Sequence, residues 1–164
     1  MTSWGSFAAA APALAAKGHE LFYQYGVGMG FLGTVRRDGG PRVHPICPIL
    51  TDDALFALIV PGPKRQDLRR DPRYALHCLT SEPPRHDDAF YLTGTVKEVI
   101  DPRAWNRVAE QFLAERGIDS RWPGFEAQTL VEFAIERCLL TLTSQQDGLP
   151  SGHTIWHAPE AQSA

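Results

Sequence analysis

The sequence is poor in cysteine. Cys47, Cys78 and Cys138 are the three in 164 residues. They are odd in number and far apart, and no Cys-x-x-Cys pair exists, so a zinc ribbon or a thioredoxin-type site has no support. Buried or idle thiols in a reducing compartment are expected. No apolar run reaches the roughly 18 to 20 residues that cross a bilayer. The alanine-rich stretch from Phe7 to Ala16 lacks a preceding Lys or Arg and is interrupted by Pro12. A secretory signal needs a positive start, so this stretch is expected to be helical, in a cytoplasmic protein. A basic excess is missing too. The 16 Lys and Arg are outnumbered by 19 Asp and Glu, leaving −3, the wrong sign for a general nucleic-acid binder. There are no repeats and no low-complexity linkers. With 43% hydrophobic and 21% charged residues, long disorder, collagen and coiled coil are excluded.

What is there fits one domain over residues 1–164, since one to two hundred residues is the usual domain size. Gly 14 and Pro 13 make up about 16% of the chain against roughly 12% on average, so many turns and short elements are expected. Helices are expected within 3–26, strands within 28–143 and a tail over 144–164. Ser3 or Ser6 caps a first helix, and Pro12 opens a second that ends near Gly26. Two strand-like runs, 28–36 and 41–50, flank Asp38-Gly39, a strong hairpin signal. Further strands follow at 55–60, 73–79 and 89–100, the last bent at Gly94. Between them, Lys64 to Arg70 is a short helix stopped by Asp71-Pro72.

Asp101-Pro102 starts a longer helix with Val108, Phe112 and Leu113 inward. A long strand is expected over 130–143, with a buried helix as the other reading. Its apolar positions are odd through Val131, Phe133 and Ile135, then even through Cys138, Leu140 and Leu142. A period of two cannot change parity without an extra residue, so a bulge is expected near Glu136-Arg137. The apolar patch Thr154 to His157 should dock on the body, and Ala158 to Ala164 should fray. Six strands joined mostly by turns imply a mainly β fold, an antiparallel closed or partly open barrel with peripheral helices.

The most informative segment is Lys64 to Arg73, with five cations and two carboxylates in ten positions. A basic helix start after Gly-Pro suits an anion, above all a phosphate monoester. Free N–H groups, the positive helix end and Lys64 would point to one place. The other reading is a solvated helix with Asp–Arg pairs at helical spacing. Arg42 and His44 share one face of the second strand, and a meander brings them toward the same region. The six histidines have no metal-ligand spacing. His86-Asp87-Asp88 is at most a weak cation loop, and no metal is expected. No Gly-x-Ser-x-Gly is present, and Gly26 to Gly30 starts a strand, so it is no dinucleotide loop. The four tryptophans, Trp4, Trp105, Trp122 and Trp156, belong either to an interface or to the ends of the barrel.

Three motifs in this order resemble the pyridoxamine 5′-phosphate oxidase-like family of flavin-binding split barrels. They are Gly30-Phe31-Leu32-Gly33-Thr34-Val35-Arg36-Arg37-Asp38-Gly39, Pro41-Arg42-Val43-His44-Pro45, and Lys64 with Leu68-Arg69-Arg70-Asp71-Pro72-Arg73. The resemblance extends from about Trp4 to Trp156. It implies a six-stranded antiparallel split barrel and a homodimer with two FMN sites between subunits. Lys64 falls at the family's phosphate-binding lysine, and His44 where the oxidases proper have a phosphate-contacting arginine. Arg65 is the second phosphate contact, with Arg42 nearby. Pro45, Ile46 and Cys47 run beside the flavin ring, and Leu58 and Ile59 approach it.

The chain departs from the oxidases proper. Gly62-Pro63-Lys64 replaces Ser-Arg-Lys, and the C-terminal Arg/His substrate motif is not evident. Pyridoxamine phosphate is therefore not the expected substrate. The motif form is closer to the divergent branch, which includes proteins using the deazaflavin F420 and relatives that bind haem or biliverdin. The expectation is an FMN-dependent oxidoreductase acting on a small molecule. F420 in place of FMN, or a non-enzymatic flavin- or haem-binding module, are the alternatives.

Overall fold

The computed structural model describes residues 2–82 and 86–159. Part of the loop expected over 80–88 and most of the frayed end therefore lie outside the described residues. Two helices come first, α1 (Trp4–Ala10) and α2 (Pro12–Phe22). The Ser3 hydroxyl caps α1 by accepting from the Ser6 N–H at 3.2 Å. Helix α2 stops at Phe22, short of Gly26. There Tyr23 turns its hydroxyl to the Glu115 carboxylate and the Leu50 N–H, both at 3.1 Å.

Then come β1 (Gly30–Val35), β2 (Pro41–Ile46), β3 (Pro48–Leu50), β4 (Leu55–Ile59), α3 (Pro63–Arg70), β5 (Arg73–Cys78) and β6 (Ala89–Glu98). Helix α4 (Pro102–Glu115), β7 (Thr129–Leu142) and β8 (Gly152–His157) complete the chain. The Asp101 carboxylate caps α4 by accepting from the N–H groups of Arg103 and Ala104. Among the described residues no helix is long and apolar enough to cross a membrane.

The strands form one antiparallel sheet, in the order β2-β1-β5-β6-β7-β4-β3, with β8 added on β7. The two ends of that order, β2 and β3, are separated in sequence by Cys47 alone. One bent stretch of chain thus serves both edges, and the sheet curls into a half-barrel. The strand count corrects the expectation of six to eight. The strand expected over 41–50 breaks at Cys47 because its halves pair with different neighbours, β1 and β4. The tail adds the other strand, since Thr154 to His157 do not merely dock but pair with β7.

The parity switch in β7 is a bulge. Thr93 pairs with Arg137 and Gly94 with Ile135, so Glu136 is the extra residue. Gly94 is required opposite it, because a Cβ there would run into the Ala134 carbonyl oxygen. The other edge of β7 changes partner at the same place. Residues 129–132 pair with β4, residues 137–142 with β8, and Thr2 bridges Ile135 between them.

The main core lies inside the curl, where α1 and α2 plug it with Trp4, Phe7, Leu21 and Phe22 against Phe90 and Phe133. Each such side chain contributes about 1.5–3 kcal/mol on burial. Trp156 packs on Phe7 with ring centroids 4.8 Å apart. A second cluster of Ile49, Phe56, Val108 and Leu130 holds α4 to the outside of β3, β4 and β7, with Trp105 and Phe112 at its margin. Trp122 packs on Phe125 with centroids 4.6 Å apart. The tryptophans thus anchor the helices and the tail.

Candidate functional site

Helix α3 lies across the open end of β1 and β2. Pro63 starts it and Pro72 follows its end, and its short inner side carries Asp67 and Leu68, both buried. Asp67 is 3% exposed. One of its oxygens accepts from Thr34 Oγ1 at 3.1 Å and from Arg42 Nε at 2.6 Å. The other accepts from Arg70 at 3.1 Å. Burial works against the Asp67 carboxylate, but these three donors outweigh it and hold its pKa below the ordinary range. The Asp–Arg pairing at helical spacing is therefore present as Asp67 with Arg70. Lys64 takes no part in it.

One turn before Asp67, Lys64 donates from Nζ to the Pro45 carbonyl at 3.3 Å. It is half-buried, and desolvation lowers its pKa, with Cys47 acting the other way. Arg42, His44 and Ile46 alternate on the inward face of β2, while Val43 and Pro45 face out. His44 Nε2 is buried and meets no hydrogen-bond partner. Desolvation lowers the His44 pKa, and the charges of Lys64 and Arg42 lower it further. A buried ring nitrogen without a hydrogen-bond partner is costly. Here it lies beside two cations.

The other sequence candidates divide. Pro45 is exposed, and Cys47 is half-buried at the junction of β2 and β3. Ile46 is 7% exposed and belongs to the main core. Ile59 is wholly buried in that core, and Leu58 packs with the second cluster against α4. Arg65 turns away from Lys64 and donates to the Ala127 carbonyl at 3.0 Å and the Thr129 hydroxyl at 3.4 Å. The structure thus brings Arg42, His44, Pro45 and Lys64 together, with Cys47 beside them. Arg65, Leu58 and Ile59 are set apart from that group.

Sequence reasoning missed one feature beside the site. Pro45, Phe31, His77, Tyr91, Leu139 and Ile155 pair successively across β2, β1, β5, β6, β7 and β8. They form a single row on the outer face. Phe31 is 43% exposed and Ile155 50%. Strand alternation signals each outward residue, but the row depends on register, which no local pattern carries.

The curled antiparallel sheet with its shared β2–β3 edge defines a split β-barrel. The family model for pyridoxamine 5′-phosphate oxidase matches residues 21–142, and the chain belongs to this family. Solved structures with the same fold include the haem storage protein HutZ of Vibrio cholerae, at 16% identity and a TM-score of 0.58 over 75% of this chain and 90% of that one. A protein of the pyridoxinephosphate oxidase family from Clostridium acetobutylicum, related to general stress protein 26, matches at 13% identity and a TM-score of 0.61, over 87% of this chain and 92% of that one. A NimC/NimA family protein from the same organism matches at 12% and 0.63, over 87% and 91%. No curated protein sequence matches.

Proposed function

We propose that the chain is a homodimeric FMN-binding oxidoreductase acting on a small molecule, with the phosphate of FMN held by Lys64 and His44. The observation that carries the reading is the buried, partnerless Nε2 of His44 next to the half-buried Lys64. A phosphate monoester is dianionic near neutral pH and offers three strong acceptor oxygens. One oxygen accepts from His44 in the tautomer that carries its proton on Nε2, and another draws the Lys64 ammonium off the Pro45 carbonyl. Arg42 adds positive potential while remaining clamped to Asp67. FMN would supply the hydride or electron transfer, and the protein supplies position and charge. The Pro45 to Cys47 backbone, continuous with the Lys64 contact, borders the ring. Family membership supports a flavin in this place, and Arg65 is left to a structural role at the start of β7.

The outer-face row supports the dimer. It starts at Pro45, the residue whose carbonyl Lys64 holds, and puts Phe31, Leu139 and Ile155 where a second copy would cover them. Apolar and aromatic side chains of this kind form interface cores.

Absorbance of the purified protein, with side-by-side titrations of FMN, F420 and haem, tests the reading. FMN binding tightest, with the spectrum of a bound flavin, is the expected result. Tighter F420 or haem binding overturns the choice of cofactor. Turnover with a nicotinamide donor separates an enzyme from a binding module.

A further inference from the structure

A cleft of about 420 Å³ lies between the β1–β2 turn and the start of α3, where Pro63 lines it. Arg36, Arg37, Arg42 and Arg70 line it, with Gln66 on its α3 wall, and Asp38 and Asp67 are its carboxylates. The two acids do not cancel the four guanidinium groups at the cleft surface. Asp67 is sunk below it and already takes three donors. Asp38 is bound at the turn, where it accepts from the Gly40 N–H at 3.1 Å and from Arg36. Arg42 spends Nε on Asp67, and Arg70 spends Nη2 on Asp67 and the Val35 carbonyl. Among the described residues Arg37 makes no ion pair.

A guanidinium carries five N–H donors, so among the described residues most of the donors around this cleft have no protein acceptor. The turn fixes the backbone that carries Arg36 and Arg37. Gly39 adopts φ +82°, and the Arg36 N–H donates to the Gly40 carbonyl at 2.8 Å. Guanidinium groups match phosphate oxygens two at a time.

The geometry points to a second anion site here, one that takes a chain of phosphates, the di- or triphosphate group of a nucleotide or a free polyphosphate. A single phosphate engages one or two of the guanidinium groups, whereas a triphosphate reaches across the cleft to all four. This inference goes beyond the FMN reading: it shares Arg42 with the Lys64–His44 group, but Arg36, Arg37 and Arg70 lie outside that group.

Calorimetric titration of the whole protein with inorganic phosphate, tripolyphosphate and ATP tests it, on the wild type, on the double variant Arg36→Gln/Arg37→Gln and on Lys64→Ala. Tripolyphosphate is expected to bind at least about tenfold more tightly than phosphate, as befits several charge-assisted pairs, and less tightly at high salt. The double variant, on exposed side chains, is expected to keep its melting temperature and its FMN affinity and to lose that preference. Lys64→Ala is expected to keep it. ATP binding more tightly than tripolyphosphate identifies a nucleotide as the ligand, and equal or weaker binding identifies a free polyphosphate. Tripolyphosphate binding no tighter than phosphate overturns the proposal. So does a preference that survives in the double variant, or one that Lys64→Ala removes to the same degree.

Discussion

Asp67 and His44 are two polar groups drawn below the surface by the same pair of elements, α3 and β2, yet they are treated in opposite ways. Asp67 receives a donor on every side it presents to the protein. His44 keeps a buried nitrogen that no protein atom serves. Polar groups buried for stability are satisfied from within, whereas one left unsatisfied next to a cation is a cost without structural return. The difference separates a group that ties α3 to β1 and β2 from one that the proposed phosphate would satisfy.

The largest expected effect breaks the satisfied side. Asp67→Ala takes the shared acceptor from two part-exposed guanidinium groups and from the Thr34 hydroxyl, and with solvent reaching both arginines the loss is about 3 kcal/mol. Thermal or urea unfolding should record it. The same carboxylate makes the fold acid-sensitive. Its folded pKa lies below the unfolded one, so the unfolded chain binds more protons as pH falls. Its stabilisation is complete above the unfolded carboxylate range and disappears as pH drops through the folded pKa. A wild-type stability profile should fall below about pH 4, and that of the Asp67→Ala variant should be flatter.

Next comes the unsatisfied side. Lys64→Ala should weaken FMN binding by about 2–3 kcal/mol, the worth of a charge-assisted contact, with little change in melting temperature. Unchanged affinity would remove Lys64 from the site.

The smallest effect sharpens the comparison most. His44→Phe should raise the stability of the cofactor-free protein, by up to about 1 kcal/mol, because it removes a buried polar atom that has no partner. It should also weaken FMN binding by about 1 kcal/mol. A His44→Phe protein that is less stable and binds FMN as before would show that the imidazole is structural. In the wild type a phosphate dianion beside the ring would favour its charged form against the lowering that desolvation, Lys64 and Arg42 impose. FMN affinity should therefore increase as pH falls from about 8 to 6.5, and the His44→Phe variant should lose that slope.

Much of this was legible in the sequence. The parity change between Ile135 and Cys138 announced the bulge, because a strand's period of two cannot change phase without an extra residue; Gly94 announced a bend in its own strand, and that it lies opposite the bulge followed from the register alone. The turn at Asp38-Gly39, the Asp101 cap and the α3 stop at Asp71-Pro72 are local chemistry and were visible for that reason. The break at Cys47 was not, since it follows from which strands lie on either side of a continuous apolar run. Likewise Lys64 and His44 could be picked by residue type. That Asp67 would claim Arg42, and that Arg65 would turn to the Ala127 carbonyl, depended on side-chain directions that only the packed helix fixes.

The unpaired Glu136 has one further effect. Deleting it would let β6 and β7 pair without interruption, but one half of β7 would then be rotated by a half-turn. Either Phe133 and Ile135 or Cys138, Leu140 and Leu142 would face water. The single residue acts as a phase corrector, letting one strand close the barrel beside β4 with its first half and seat the returning tail with its second. A chain one residue shorter at this point would have to give up one of those two unions.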